Sequence, residues 1–460
     1  MLRQAPRLAA LLLLPPLLLP SASAILSRGA SERQSWRLPT IRMVRQLPQP
    51  EHSRCQVSPT NACTASSLPK GGISLVFPDP ATSGARCLTS SKKEYGFQVV
   101  PRDPSKLLIW FQGGGACWNK FNTVSLRTCW RDQTWASFAS TLFNESLAEN
   151  PFKDFTVVSV TACTGDLHSG NATREYPDDS GAPVEQRGYR NTRSVVDWVK
   201  ANYGEQTFKS LLIAGESAGA IGVQVWSRVL LSELRYERVS VVVDSYAAVF
   251  PPNFQGPVFK MLGVCTTPVL QLDDLQRKCD NSEITISDVF DATIRDFPRI
   301  PFVMLNSKWD SDQQMFYKVA ADSMGVPTIT PQEYHQQAVQ IFRRYNKYPN
   351  VVFYQATNTI HVFLLEYVPF RRLNFSDLEA VPAFQKFVDP EARRLMMENY
   401  LQTVGGIQGL MAELPAASGT ALRSYCEIRD DRHMAPFRGS LPVTSDSCED
   451  DLANKTFVVP

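Results

Sequence analysis

The chain has 460 residues, 43% hydrophobic and 20% charged: enough apolar material for a sizeable core, and too little for a bundle of membrane spans. Its formal net charge is +2 and becomes neutral if Arg3 and Arg7 leave with an N-terminal leader, so no general electrostatic pull toward nucleic acid is expected. Ten cysteines against five histidines, with no C-x-x-C pair, point away from a metal cluster and toward disulfides.

Residues 1–24 read as a secretion signal. Arg3 and Arg7 supply the positive start, residues 8–19 the apolar segment, and Ser21-Ala22-Ser23-Ala24 the small-residue cleavage site. Pro15 and Pro16 interrupt the apolar segment, and no other stretch reaches the ~18 apolar residues of a membrane span, so stable membrane insertion is not expected. The predicted destination is extracellular or cell wall. Residues 25–54, with six arginines and no apolar period, read as a flexible lead-in. A catalytic domain is expected over 55–425, followed by a tail over 426–460 pinned by Cys426 and Cys448. Sequence proximity also favours Cys55–Cys63 and Cys265–Cys279, although spacing alone does not fix connectivity. Asn144, Asn171, Asn374 and Asn454 each head a glycosylation sequon, so N-glycans are expected partners of an exported chain.

From about residue 70, short apolar runs alternate with amphipathic segments. The runs at 106–111, 155–160, 210–214, 239–243, 301–305 and 351–354 are continuous and rich in Val, Ile and Leu, as in parallel strands buried on both faces. Helical spacing is predicted at 192–202, 217–234 and 311–324. The fold class is therefore α/β: an α/β-hydrolase-like, doubly wound, mostly parallel sheet with helices on both faces. Residues 250–298 interrupt the alternation and are predicted to cap the strand ends.

Chemistry enters with Gly215-Glu216-Ser217-Ala218-Gly219, set between a buried run and an amphipathic helix. Such a turn exposes the serine hydroxyl, with the glycines relieving crowding on either side. A serine needs a base and a group that orients the base, delivered in the chain order Ser, Asp or Glu, His. Among the five histidines, His52 and His433 lie in terminal segments and His335 in a polar stretch that reads as an exposed helix face. His361 follows the run at 351–354, where the last strand of this fold delivers the base. His168 precedes the nucleophile and is a poor base by chain order. Asp310 and Asp312 follow the run at 301–305 and both qualify as the acid, one of them also as a helix cap; Asp244 competes from the strand before, and reads better as a structural or hydrogen-bonding acid near the site. The oxyanion donors are expected from the N–H of Ala218 and from Gly113-Gly114-Gly115, where missing side chains let backbone N–H groups approach a developing charge.

Gln112-Gly-Gly-Gly-Ala-Cys-Trp-Asn119, the segment 162–171 around Cys163 and His168, Arg187-Gly-Tyr-Arg-Asn191 and Gly215–Gly219 together resemble the pectin acetylesterase family, which takes in plant pectin acetylesterases and the animal carboxylesterase Notum. The resemblance runs from roughly 70 to 370. It implies Ser217 as nucleophile, Asp310 rather than Asp312 as acid, and His361 as base. It further implies Gly114, Gly115 and Ala218 as oxyanion donors, with Trp118 and His168 lining the substrate pocket. Cys117 is expected to fix the glycine turn through a disulfide to Cys129 or Cys163. The reading is a secreted serine carboxylic-ester hydrolase needing no cofactor or metal. Its expected substrate is an O-acetylated polysaccharide such as pectin, with a longer acyl chain carried by a protein as the alternative. A non-catalytic carbohydrate-binding homologue and a serine peptidase are competing readings from other classes.

Overall fold

The computed structural model describes residues 52–89, 94–132, 135, 142–365, 389–415, 419–427, 452 and 455–460. The leader, nearly all of the lead-in, His433, Cys448, Asn374 and Asn454 lie outside the described residues.

Ten strands form one sheet. In chain order they are β1 (Ser53–Gln56), β2 (Ser74–Phe77), β3 (Phe97–Val100), β4 (Asp103–Phe111), β5 (Phe155–Val160), β6 (Ser210–Glu216), β7 (Val239–Asp244), β8 (Phe302–Ser307), β9 (Val351–Ala356) and β10 (Tyr425–Cys426). Their spatial order is β1-β2-β3-β5-β4-β6-β7-β8-β9-β10. All neighbours run parallel except β3, which lies antiparallel to both β2 and β5. The six apolar runs are the six central strands, and β5, β7, β8 and β9 are buried at every position. That full burial is why they lack polar alternation.

Side chains alternate between two cores. Leu211 and Ile213 of β6 face one core with Val241 and Val243 of β7, while Leu212 and Ala214 face the other with Val242. Helices α1 (Gly188–Tyr203), α2 (Ala218–Glu233), α3 (Gln255–Met261), α4 (Asp273–Asp280), α5 (Ile286–Asp296), α6 (Ser311–Met324) and α7 (Pro331–Asn346) follow in chain order. Of these, α1, α2, α5 and α7 send buried side chains into the first core. The second core is closed by α8 (Pro390–Glu413), through Met397, Tyr400, Val404 and Ile407. Gly406 lets α8 lie close to β9: a Cβ there would stand 2.2 Å from the Tyr354 hydroxyl oxygen.

Residues on either side of 55–425 also pair as strands. β1 begins at Ser53, inside the expected lead-in. Thr456–Val458 pairs antiparallel with Ala421–Arg423, so residues past 425 join the fold. The buried Glu427 carboxylate accepts hydrogen bonds from Tyr354 Oη (2.9 Å), the Thr357 N–H (3.0 Å) and Thr403 Oγ1 (2.8 Å), fastening this segment to β9 and α8. Disulfides join Cys55–Cys63, Cys87–Cys163, Cys117–Cys129 and Cys265–Cys279, and Cys426 is also disulfide-bonded. Cys87–Cys163 spans 76 residues, a pairing that sequence proximity had no means to suggest. Among the described residues, no helix is long and apolar enough to cross a membrane.

Candidate active site

β6 ends at Glu216 and the chain turns at Ser217 into α2. Ser217 has φ 52° and ψ −123°, a conformation outside the ordinary wells. Two contacts hold it there: its N–H donates to the Asp244 carbonyl at 2.9 Å, and its own carbonyl accepts the Ala220 N–H at 3.0 Å. The end of β4 presses on the same turn. A Cβ on Gly219 would meet the Phe111 carbonyl oxygen at 2.0 Å, and one on Gly215 would meet it at 2.8 Å. The two glycines of the motif are therefore required by packing against Phe111.

Asp310 follows β8 and is fully buried. Its Oδ1 accepts the N–H groups of Asp312 (3.0 Å) and Gln313 (2.9 Å), capping α6. Its Oδ2 accepts Gln313 Nε2 (2.9 Å) and faces His361 Nδ1 at 2.8 Å. Capping the helix and orienting the histidine are thus done by one carboxylate, and the neighbouring Asp312 makes neither contact. Gln313 is a partner the sequence reading did not foresee; its Nε2 also reaches Asn306 Oδ1 (2.8 Å), and its Oε1 accepts the Ala247 N–H (2.8 Å).

His361 lies in the turn after β9. Burial alone lowers its pKa, but the charge and hydrogen bond of Asp310, with Asp312 and Asp244 nearby, outweigh burial and raise it to about 9. Asp244, at the end of β7, is fully buried, and desolvation raises its carboxyl to about 6 against the pull of its hydrogen-bond donors. Ligand atoms of Asp310, Asp312 and His361 lie within 4.8 Å of one another. Both Asp310 oxygens already serve nitrogen donors, so the group suits orientation of the imidazole better than it suits a cation.

The three glycines follow β4. Gly113 is spent on structure, its N–H donating to Glu216 Oε1 at 3.3 Å. Gly114 and Gly115 have φ 152° and 70°. No hydrogen bond found among the described residues uses the N–H of Gly114, Gly115 or Ala218. Behind the turn, the Cys117–Cys129 disulfide and the bond from the Trp130 N–H to the Gly114 carbonyl (2.8 Å) set its position. His168 was expected in the pocket, yet it stands behind this turn. It is buried, with Nε2 2.8 Å from the Gln112 carbonyl and its ring edge-on to Phe111. Burial lowers its pKa to about 4, so the ring is neutral and its Nε2–H donates to Gln112.

Beside Ser217 is an apolar cavity of about 30 Å³, enough for the centres of one or two water molecules. Trp118 lines it, together with Leu167, Phe250, Phe254 and Phe316. Phe254 meets Trp118 edge-on at 5.1 Å and stacks on Phe250 at 5.3 Å. Phe254, Val258 and Leu262 come from the 250–298 insertion, which therefore supplies one wall of the cavity. These apolar residues carry no motif, so only the topology reveals them. His335 is half-buried on α7 against Trp309, away from the cavity lining.

A mostly parallel sheet with a strand–Ser217–helix elbow defines an α/β-hydrolase fold. Residues 70–359 match the pectinacetylesterase family model, and the chain belongs to that family of carboxylic-ester hydrolases. The match contains Ser217 and Asp310 and stops two residues before His361. No curated protein sequence matches the chain. Among solved structures the chain is similar to the Wnt deacylase Notum from Drosophila, with a TM-score of 0.45 and 16% identity over 66% of this chain and 90% of that one.

Proposed function

We propose that the chain is a secreted serine esterase that removes short acyl groups, above all O-acetyl groups from a polysaccharide such as pectin, using Ser217, His361 and Asp310. The observation that carries this reading is the 2.8 Å contact between His361 Nδ1 and the buried Asp310 carboxylate, on a turn tied through Asp244 to the Ser217 elbow. With Nδ1–H held by Asp310, Nε2 carries the lone pair and accepts the Ser217 proton as Oγ attacks the ester carbonyl. The N–H groups of Gly114, Gly115 and Ala218 receive the oxyanion. Collapse of the tetrahedral species expels the alcohol, which takes the proton from His361. Water then repeats the sequence on the acyl-enzyme, releasing the acid and restoring Ser217.

Cavity lining supports an acyl ester as substrate. The cavity beside Ser217 is lined by apolar side chains, which suits the acyl part of an ester better than its sugar. Export is supported by the leader-like residues 1–24 and by the disulfides, with Asn144, Asn171, Asn374 and Asn454 as the proposed glycan sites. Rates on p-nitrophenyl acetate, butyrate and octanoate test the acyl length. We expect kcat/KM for acetate to exceed that for octanoate by at least about tenfold. A preference for octanoate instead supports the longer-acyl reading.

A further inference from the structure

Resting on that reading, we propose that Asp244 is a positioning residue that fixes the nucleophile and the base relative to each other. It is the last residue of β7, between the strand that precedes Ser217 and the strand that precedes Asp310. Its backbone carbonyl accepts the Ser217 N–H at 2.9 Å. Its carboxylate holds the other segment: Oδ2 accepts the N–H groups of Phe363 (2.9 Å) and Leu364 (2.8 Å). Oδ1 accepts the Ser245 hydroxyl at 2.8 Å, and Ser245 Oγ in turn accepts the Val362 N–H at 2.8 Å. Three successive N–H groups directly after His361 are therefore held by two adjacent side chains.

Backbone geometry shows why such a clamp is needed. Val362 has φ 69°, and a β-branched residue in the left-handed region does not stay there unaided. Ser245 is itself left-handed, at φ 62°. The chain must reverse sharply at Val362 for the His361 ring to reach Asp310 while Phe363 and Leu364 turn into the core, where both are fully buried. An Asp supplies this arrangement because an ionised carboxylate only accepts, and all three groups facing it donate. An asparagine keeps one acceptor oxygen but puts an NH2 donor in place of the other, and so releases part of the turn.

Asp244→Asn tests the proposal through the division between kcat and KM on p-nitrophenyl acetate. We expect kcat to fall about 10²-fold, the scale of a small misplacement of a reacting group, with KM within about twofold. Modification of Ser217 by a fluorophosphonate should slow in proportion, while the variant still melts in one cooperative transition. Ser245→Ala should show a smaller loss in the same direction and decides the matter if Asp244→Asn does not fold. A folded Asp244→Asn protein with wild-type kcat, a loss confined to KM, or, should Asp244→Asn fail to fold, an unchanged kcat in Ser245→Ala overturns the proposal. Failure of the wild-type protein to be modified at Ser217 instead overturns the serine-esterase reading beneath it.

Discussion

Ser217→Ala should lower kcat on an acetyl ester by about 10⁴-fold or more, because nothing else at the elbow can form an acyl-enzyme. The fold should survive the change. Ser217 is held by its backbone, through the Asp244 carbonyl and the Ala220 N–H, and both bonds persist in alanine. Alanine at φ 52° is no worse placed than serine, so melting temperature should stay within a few degrees. Steady-state rates with a matched thermal melt check both halves. A variant that retains turnover removes Ser217 from the chemistry.

Asp310→Asn should be nearly as damaging, with kcat reduced about 10⁴-fold. The asparagine carbonyl can still cap α6 by accepting the N–H groups of Asp312 and Gln313. Its amide then points toward His361 Nδ1 and opposes the tautomer that leaves Nε2 free as a base. The pH profile carries a second signature. A histidine base must be neutral, so kcat/KM of the wild type should rise with pH through about 9, the raised value that Asp310 and its acidic neighbours impose on His361. With Asp310 neutralised, burial of His361 regains weight and the ascending limb should move to lower pH. The linked stability has the opposite sense. A base with a raised folded pKa stabilises the fold fully below its unfolded value near 6.5, and that contribution is lost as pH rises through about 9. An unmoved limb in the variant contradicts the assignment of Asp310.

How much of this was legible beforehand follows from where each part takes its order. The six central strands are buried on both faces, and that burial wrote continuous Val, Ile and Leu runs into the sequence. Ser217 was legible because a tight elbow against Phe111 needs glycine at 215 and 219. Spacing alone could not separate Asp310 from Asp312; of the two, it is Asp310 whose carboxylate lies 2.8 Å from His361 Nδ1. β1, β2, β3 and β10 are short and carry no comparable signal, so the antiparallel turn at β3 went unread. Helix α8 was hidden by Gly405, Gly406 and Gly409, which weaken its helical signature although Gly406 is demanded by the Tyr354 hydroxyl. The cavity wall of Phe250, Phe254 and Phe316 is scattered over 67 residues and shares only apolarity, which the core shares too. His168 illustrates the remaining difficulty. A histidine in a motif-rich loop suggests contact with substrate, but its Nε2 is spent on the Gln112 carbonyl, so it shapes the glycine turn from behind.

Mass spectrometry of the intact protein after exposure to a fluorophosphonate, followed by peptide mapping, interrogates the nucleophile itself. A serine activated by a held imidazole should take one phosphonyl group on the peptide containing Ser217, and His361→Ala should remove that modification. A protein that stays unmodified, or that carries the group on another residue, contradicts the account.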